Sequence, residues 1–150
     1  MYEIFVDGSV RGGNPGIAGI AMYVKHNGKC VYQYSWLLPR DATSNEAEYE
    51  AVIAALTYLK TSNEVYKMSK EKCVIVTDSQ LVYGHVVKNW KCNFAHLRIL
   101  RDEVTQRLAD LPFTVTIRQM AREENEIANE LAQAITQKEK ERKGCQNLMK

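Results

Sequence analysis

The sequence lacks the features that mark several protein classes. None of its apolar runs is long enough to cross a bilayer, and the acids Glu3 and Asp7 interrupt the N-terminus too early for a secretory leader. Proline is scarce, at three residues, and the eight glycines are dispersed, so there is no collagen repeat or low-complexity linker. The four cysteines, Cys30, Cys73, Cys92 and Cys145, contain no C-x-x-C pair. A zinc site is therefore not expected, and without an export signal the cysteines read as reduced thiols of a cytoplasmic protein. Nor is there a large excess of one charge. The net charge is +2, and the last 13 residues carry Lys138, Lys140, Arg142, Lys143 and Lys150 against Glu139 and Glu141. The rest of the chain is thus faintly acidic, unlike a sequence-independent coat for nucleic acid. A phosphate-bearing partner would need local basic groups, or metal ions held by the acids.

What is present is enough for one domain with its own core: 150 residues, 45% hydrophobic. Residues 2–6 read as a strand ended by Asp7-Gly8, and Gly12-Gly13-Asn14-Pro15-Gly16 as a turn. Residues 18–25 and 29–38 read as two strands joined by the hairpin dipeptide Asn27-Gly28, completing an antiparallel meander. Thr43-Ser44-Asn45-Glu46 has capping-box spacing and opens a helix that runs to about Lys60. Cys73-Val74-Ile75-Val76-Thr77 suits a strand covered on both faces. Helices follow over about 79–88 and 95–109, then a strand over 113–118 and a last helix from near Glu124. This order predicts an α/β architecture with a mixed sheet flanked by helices. It leaves residues 138–150 as a charged tail beyond a domain of 1–137, either a frayed helix end or a disordered arm.

Three acids stand out. Asp7 follows the apolar Ile4-Phe5-Val6, and Asp78 follows Val74-Ile75-Val76-Thr77. Turn formation by Asp7 and helix capping by Asp78 are the ordinary explanations. Glu48 shares a helix stripe with Val52, Ala55 and Leu59, where an unpaired carboxylate is costly. A buried ion pair or a metal site would account for it. Hard divalent ions want oxygen ligands, and two of them can clamp a phosphoryl displacement.

The chain resembles type 1 ribonuclease H in four blocks that occur in the family's order. Phe5-Val6-Asp7-Gly8-Ser9, with Gly13-Asn14-Pro15-Gly16-Ile17-Ala18-Gly19, resembles the first. Ser44-Asn45-Glu46-Ala47-Glu48-Tyr49-Glu50-Ala51 resembles the second and Val76-Thr77-Asp78-Ser79-Gln80-Leu81-Val82 the third. Arg122-Glu123-Glu124-Asn125-Glu126-Ile127-Ala128-Asn129-Glu130-Leu131-Ala132 resembles the fourth. The resemblance implies a ribonuclease H-like fold with a five-stranded mixed sheet. It implies endonucleolytic cleavage of the RNA strand of an RNA/DNA hybrid, leaving 5′-phosphate and 3′-hydroxyl ends. It implies two Mg²⁺ ions, with Mn²⁺ as a substitute, held by Asp7, Glu48, Asp78 and the residue at 129. One ion would help deprotonate the attacking water and the other would stabilise the leaving 3′ oxygen. Gly8, Ser9, Asn14, Asn45 and Gln80 would contact the hybrid, and Trp90 would stack on a deoxyribose. The expected molecule is a monomer with no membrane attachment.

The fourth block departs from the family, which has Asp where this chain has Asn129. The amide keeps an oxygen that can coordinate a cation but loses the charge. Glu126 and Glu130 each point roughly 60–100° away around the helix and do not replace it. Weaker metal binding and slower turnover are expected. An introduced change, a natural enzyme of reduced activity and a non-catalytic hybrid-binding module all fit the substitution. No histidine lies between Gln119 and Glu124, and no full basic protrusion follows the third block. Trp90 between Lys88 and Lys91 is a small counterpart, or else a core anchor.

Overall fold

The computed structural model describes residues 1–62 and 64–148. Strands β1 (Tyr2–Arg11), β2 (Ile17–His26) and β3 (Lys29–Leu37) form the meander. Helices α1 (Ser44–Thr61) and α2 (Val65–Ser69) lead to β4 (Cys73–Thr77), α3 (Gln80–Val86), α4 (Ala95–Asp110) and β5 (Val115–Gln119). A 3₁₀ turn at Arg122–Glu124 then opens into α5 (Glu126–Leu148). The sheet order is β3-β2-β1-β4-β5. The meander pairs are antiparallel, and β4 and β5 join in parallel. The expected five-stranded mixed sheet is therefore the one found.

The local chemistry explains the elements. Thr43 Oγ1 accepts the backbone N–H of Glu46, whose side chain accepts the N–H of Thr43 in return, so the capping box fixes where α1 begins. All five residues of β4 are buried, as a central parallel strand requires. The main core lies between the sheet and α1, with Ile4, Val6, Ile20 and Val24 against Val52, Leu56 and Leu59. α5 packs on the other face. Arg11 donates to Thr136 Oγ1 at 3.3 Å and to the Gln133 carbonyl at 3.4 Å, tying the end of β1 to that helix.

Three sequence readings change and one element is added. β1 does not end at Asp7-Gly8: Asp7 pairs with Ala21 and Gly8 with Ile20, and the ladder continues to Arg11 opposite Ile17. Strand pairing overrides the turn preference of the dipeptide. Asp78 is not a cap, because Ser79 Oγ accepts the Val82 N–H at 3.2 Å and caps α3. The short helix α2, which buries Met68, carries no periodic signal in the sequence. The charged run after Lys138 continues α5 as far as Leu148 rather than fraying. Pairs such as Arg142–Glu139 and Gln137–Glu141 (2.8 Å) brace it at helical spacing.

Candidate active site

β1 runs beside β4 only as far as Phe5 opposite Val76. Beyond that point β1 continues with β2 alone, which opens a gap between the two strands at the carboxyl end of β4. Asp7 lies on one side of the gap and Asp78, one residue past β4, on the other. α1 closes on the gap through Gly8. A Cβ at Gly8 would lie 2.5 Å from the Ala47 carbonyl carbon and 2.6 Å from its oxygen. Only glycine permits that approach, and the next residue along α1 is Glu48. Gly8→Ala is therefore expected to push the helix off the strand at a cost of about 1–3 kcal/mol. Urea denaturation in EDTA will read the loss.

The three carboxylates converge: each of Asp7, Glu48 and Asp78 offers an oxygen within 4.8 Å of those of the other two. Asn129, on the first turns of α5, donates from Nδ2 to Asp7 Oδ2 at 2.7 Å. The structure thus brings together all four residues expected at the centre of the site. Glu48 Oε1 accepts only a long contact from the Gly8 N–H, at 3.4 Å, and Glu48 Oε2 is buried with no partner. An orphaned carboxylate oxygen facing two other carboxylates is unfavourable for the bare protein and suits a divalent cation. The donor set, oxygens only, fits Mg²⁺ or Mn²⁺ rather than a softer metal.

The electrostatics follow from the crowding. Burial, with Asp78 second, pushes the Asp7 carboxyl up to about 6, against the downward pull of Glu48, Asn129 and Arg122. Burial, then Asp7 and Asp78, holds Glu48 well above the usual carboxylate range. Asp7 and Glu48 therefore titrate together, both held above the ordinary carboxylate range. Asp78 is raised by burial, with Asn125 and Arg122 opposing. These acids bind protons more tightly folded than unfolded, so their contribution is fully present at low pH. It is lost as pH rises from the ordinary carboxylate range through the raised folded values. The metal-free melting temperature is expected to fall between about pH 4 and pH 7. The fall should be smaller in Asp7→Asn, and Mg²⁺ should reverse it at the high end. Thermal melts with and without EDTA check this.

Asn125, within the fourth block, is a site residue whose role its sequence position does not mark. It is buried, and its Nδ2 donates to the Val6 carbonyl at 2.8 Å and reaches Asp78 Oδ2 at 3.5 Å. It thereby locks the backbone before Asp7 to the side chain of Asp78. The only sequence signal was its place four residues before Asn129, one helical turn away.

The expected substrate-contact residues ring this centre less uniformly. Gly8 is buried and Ser9 half-buried on β1, whereas Asn45 and Gln80 are exposed at the starts of α1 and α3. Asn14 is exposed, and its Oδ1 accepts the Ser44 N–H at 2.9 Å, which holds the β1–β2 turn against the start of α1. Trp90 is anchored on α3 and keeps an exposed face. Its ring lies so close over Gly84 that a Cβ there would be 1.9 Å from Cε3, yet the residue remains 48% exposed. Lys88 sits 5.8 Å from its ring centroid.

The RNase H family model matches residues 1–146. Ribonuclease H of Actinobacillus pleuropneumoniae is 31% identical over 140 residues, covering 89% of each chain. Ribonuclease H of Geotalea uraniireducens is 31% identical over 147 residues, covering 94% of this chain and 97% of its own. Among solved structures, LC11-RNase H1 in complex with an RNA/DNA hybrid superposes with a TM-score of 0.82 at 26% identity, covering 92% of this chain and 98% of that one. RNase H1 of the halophilic archaeon Halobacterium salinarum gives 0.80 at 28%, with coverage of 91% and 98%. Fold, sequence and an end-to-end match agree, and the chain belongs to the ribonuclease H family.

Proposed function

We propose that this chain hydrolyses the RNA strand of RNA/DNA hybrids at internal phosphodiester bonds, in a reaction that requires divalent metal ions held by Asp7, Glu48 and Asp78 with Asn129 beside them. The observation that carries the proposal is the meeting of three carboxylates within 4.8 Å, one of them with a buried, unpartnered oxygen. The hybrid bound to LC11-RNase H1 supports the choice of substrate. Two Mg²⁺ ions, when bound, supply activation of the attacking water and stabilisation of the leaving 3′ oxygen.

The chain's own residues do the rest. Asp7 and Glu48 both titrate above the ordinary carboxylate range and would hold a metal ion as carboxylates, so metal affinity would rise with pH. Asn129 holds Asp7 Oδ2 in place, and Asn125 holds Asp78 against the Val6 backbone. The Asn14 carbonyl oxygen is occupied by Ser44, which leaves its N–H₂ free to donate to a sugar or base edge in the minor groove. The exposed amides of Asn45 and Gln80 both donate and accept, as a 2′-hydroxyl requires. Without the fourth carboxylate, the site needs more metal and turns over more slowly than its four-acid relatives.

Cleavage of end-labelled substrates tests the proposal. The RNA strand of a hybrid should be cut internally to 5′-phosphate products in Mg²⁺, while double-stranded DNA, double-stranded RNA and the DNA strand of the hybrid remain intact. Products shortened one nucleotide at a time from an end would contradict it.

A further inference from the structure

The candidate active site draws on β1, α1, β4 and α5 and leaves β3 without a role. β3 is the last strand of the sheet, and among the described residues no strand other than β2 pairs with it. Its outer backbone groups therefore form an open edge. Natural edges are commonly guarded by charge, proline or a bulge. Here the guards stand only at the two ends. Lys29 and a bulge at Val31, which is skipped between the pairs Val24–Tyr32 and Lys25–Cys30, lie at one end, and Pro39 lies at the other. Between them Tyr32-Gln33-Tyr34-Ser35-Trp36-Leu37 is regular strand with no charged residue.

The side chains of that stretch are self-complementary. Tyr32, Tyr34 and Trp36 share one face, and Gln33 and Ser35 the other. Tyr32 stacks on Tyr58 of α1 with ring centroids 4.9 Å apart, and Tyr34 lies 6.3 Å from Tyr32 and 4.9 Å from Trp36. The row is held in place yet open, with Tyr32 39% and Tyr34 51% exposed. A second β3 laid antiparallel about a two-fold axis at Tyr34 pairs Tyr32 with Trp36, Tyr34 with its own copy and Gln33 with Ser35. Aromatic then meets aromatic, amide meets hydroxyl, and no like charges oppose. An axis at Gln33 would set the bulged Val31 against Ser35, and an axis at Ser35 would set Gln33 against Leu37. The pattern of the strand thus favours one register.

We propose that two copies of this chain associate through β3, joining their five-stranded sheets into one about a two-fold axis at Tyr34. The new ladder would satisfy backbone groups that the open edge leaves to water. The exposed parts of Tyr32 to Trp36, with the flanking Val31 and Leu37, come to roughly 400 Å² per copy, so the contact sits at the weak end of specific interfaces. The monomer expected from the sequence is then the dilute form. The gap between β1 and β4 lies beyond β2 and β1, so the contact covers neither candidate active site.

The test is sedimentation of the full chain from roughly 1 μM to 1 mM, the range in which an interface of this size associates. The average mass should climb from one chain toward two. Tyr34→Lys sets two ammonium groups against each other on the axis and should weaken association at least about tenfold, with the melting temperature close to the parent's. A second measurement does not depend on that variant. With Cys30 and Cys145 changed to Ser, Tyr34→Cys should oxidise to a linked dimer, whereas Gln33→Cys, whose copies lie diagonally beyond disulfide reach, should link poorly. A single chain across the whole range overturns the inference and leaves the edge to a strand of another protein. Association that Tyr34→Lys does not weaken, or that links Gln33→Cys as readily as Tyr34→Cys, overturns it as well, because it uses another surface or register.

Discussion

Glu48→Gln is expected to abolish hybrid cleavage, by at least about a thousandfold, while making the metal-free protein more stable. The two effects have one origin. Glu48 is half-buried beside Asp7 and Asp78, its Oε2 is buried with no partner, and its carboxyl is forced well above the usual range. Gln fits the same space, removes a latent charge and supplies an N–H₂ that can donate to the Asp7 carboxylate. A gain of about 1–3 kcal/mol follows from relieving an uncompensated buried acid. For a chain of this length that is roughly 2–4 °C per kcal/mol in melting temperature. The same change removes a charged oxygen from the metal site, where ion charge carries the chemistry. Melts in EDTA and single-turnover cleavage in Mg²⁺ read the two halves. A destabilised Glu48→Gln would indicate that Glu48 is held by a structural contact rather than reserved for a cation.

Asn129→Asp is expected to do the reverse: destabilise the metal-free protein and strengthen metal binding. At present the Asn129 amide donates to Asp7 Oδ2 at 2.7 Å and helps to restrain the rise of the Asp7 carboxyl. A carboxylate there exchanges a hydrogen bond for a like-charge contact. Asp7 should then titrate higher still, and the melting temperature in EDTA should drop by several degrees. With metal present the sign changes. A unit charge a few ångströms from a dication is worth at least about 1 kcal/mol even at a water-like dielectric, so the apparent Mg²⁺ affinity should tighten roughly tenfold or more. Calorimetric titration of Mg²⁺ and melts in EDTA, compared between parent and Asn129→Asp, check both signs. An unchanged Mg²⁺ affinity would mean that residue 129 does not face the metal site.

Much of the site was legible in the sequence because its residues sit where local chemistry changes. Asp7 follows an apolar strand, Asp78 ends a fully buried one, and Glu48 interrupts an apolar helix stripe. Their convergence was not legible from spacing. It depends on β1 leaving β4 after Phe5 and on α1 touching Gly8, both products of long-range packing. The same cause extended β1 past Asp7-Gly8, where pairing with β2 overrides a turn-forming dipeptide. Asn125 had no assigned role because its partners, Val6 and Asp78, are 119 and 47 residues away. The link of His85 to Tyr49, a residue on another helix, is invisible to periodicity. The charged end of α5 read ambiguously because charge runs suit helix and disorder alike; the helix continues there with side-chain pairs such as Gln137–Glu141 along it.

The most direct test of the account is RNA-strand cleavage of a labelled hybrid across a Mg²⁺ titration, with the parent chain, Asn129→Asp and Glu48→Gln side by side and Mn²⁺ as a second metal. The expected result is internal cutting by the parent, saturating at higher Mg²⁺ than Asn129→Asp, and no cutting by Glu48→Gln at any concentration. Hybrid binding by the parent and by Asn129→Asp without cleavage by either, in Mg²⁺ or in Mn²⁺, would contradict the account and make this chain a hybrid-binding module built on a nuclease fold.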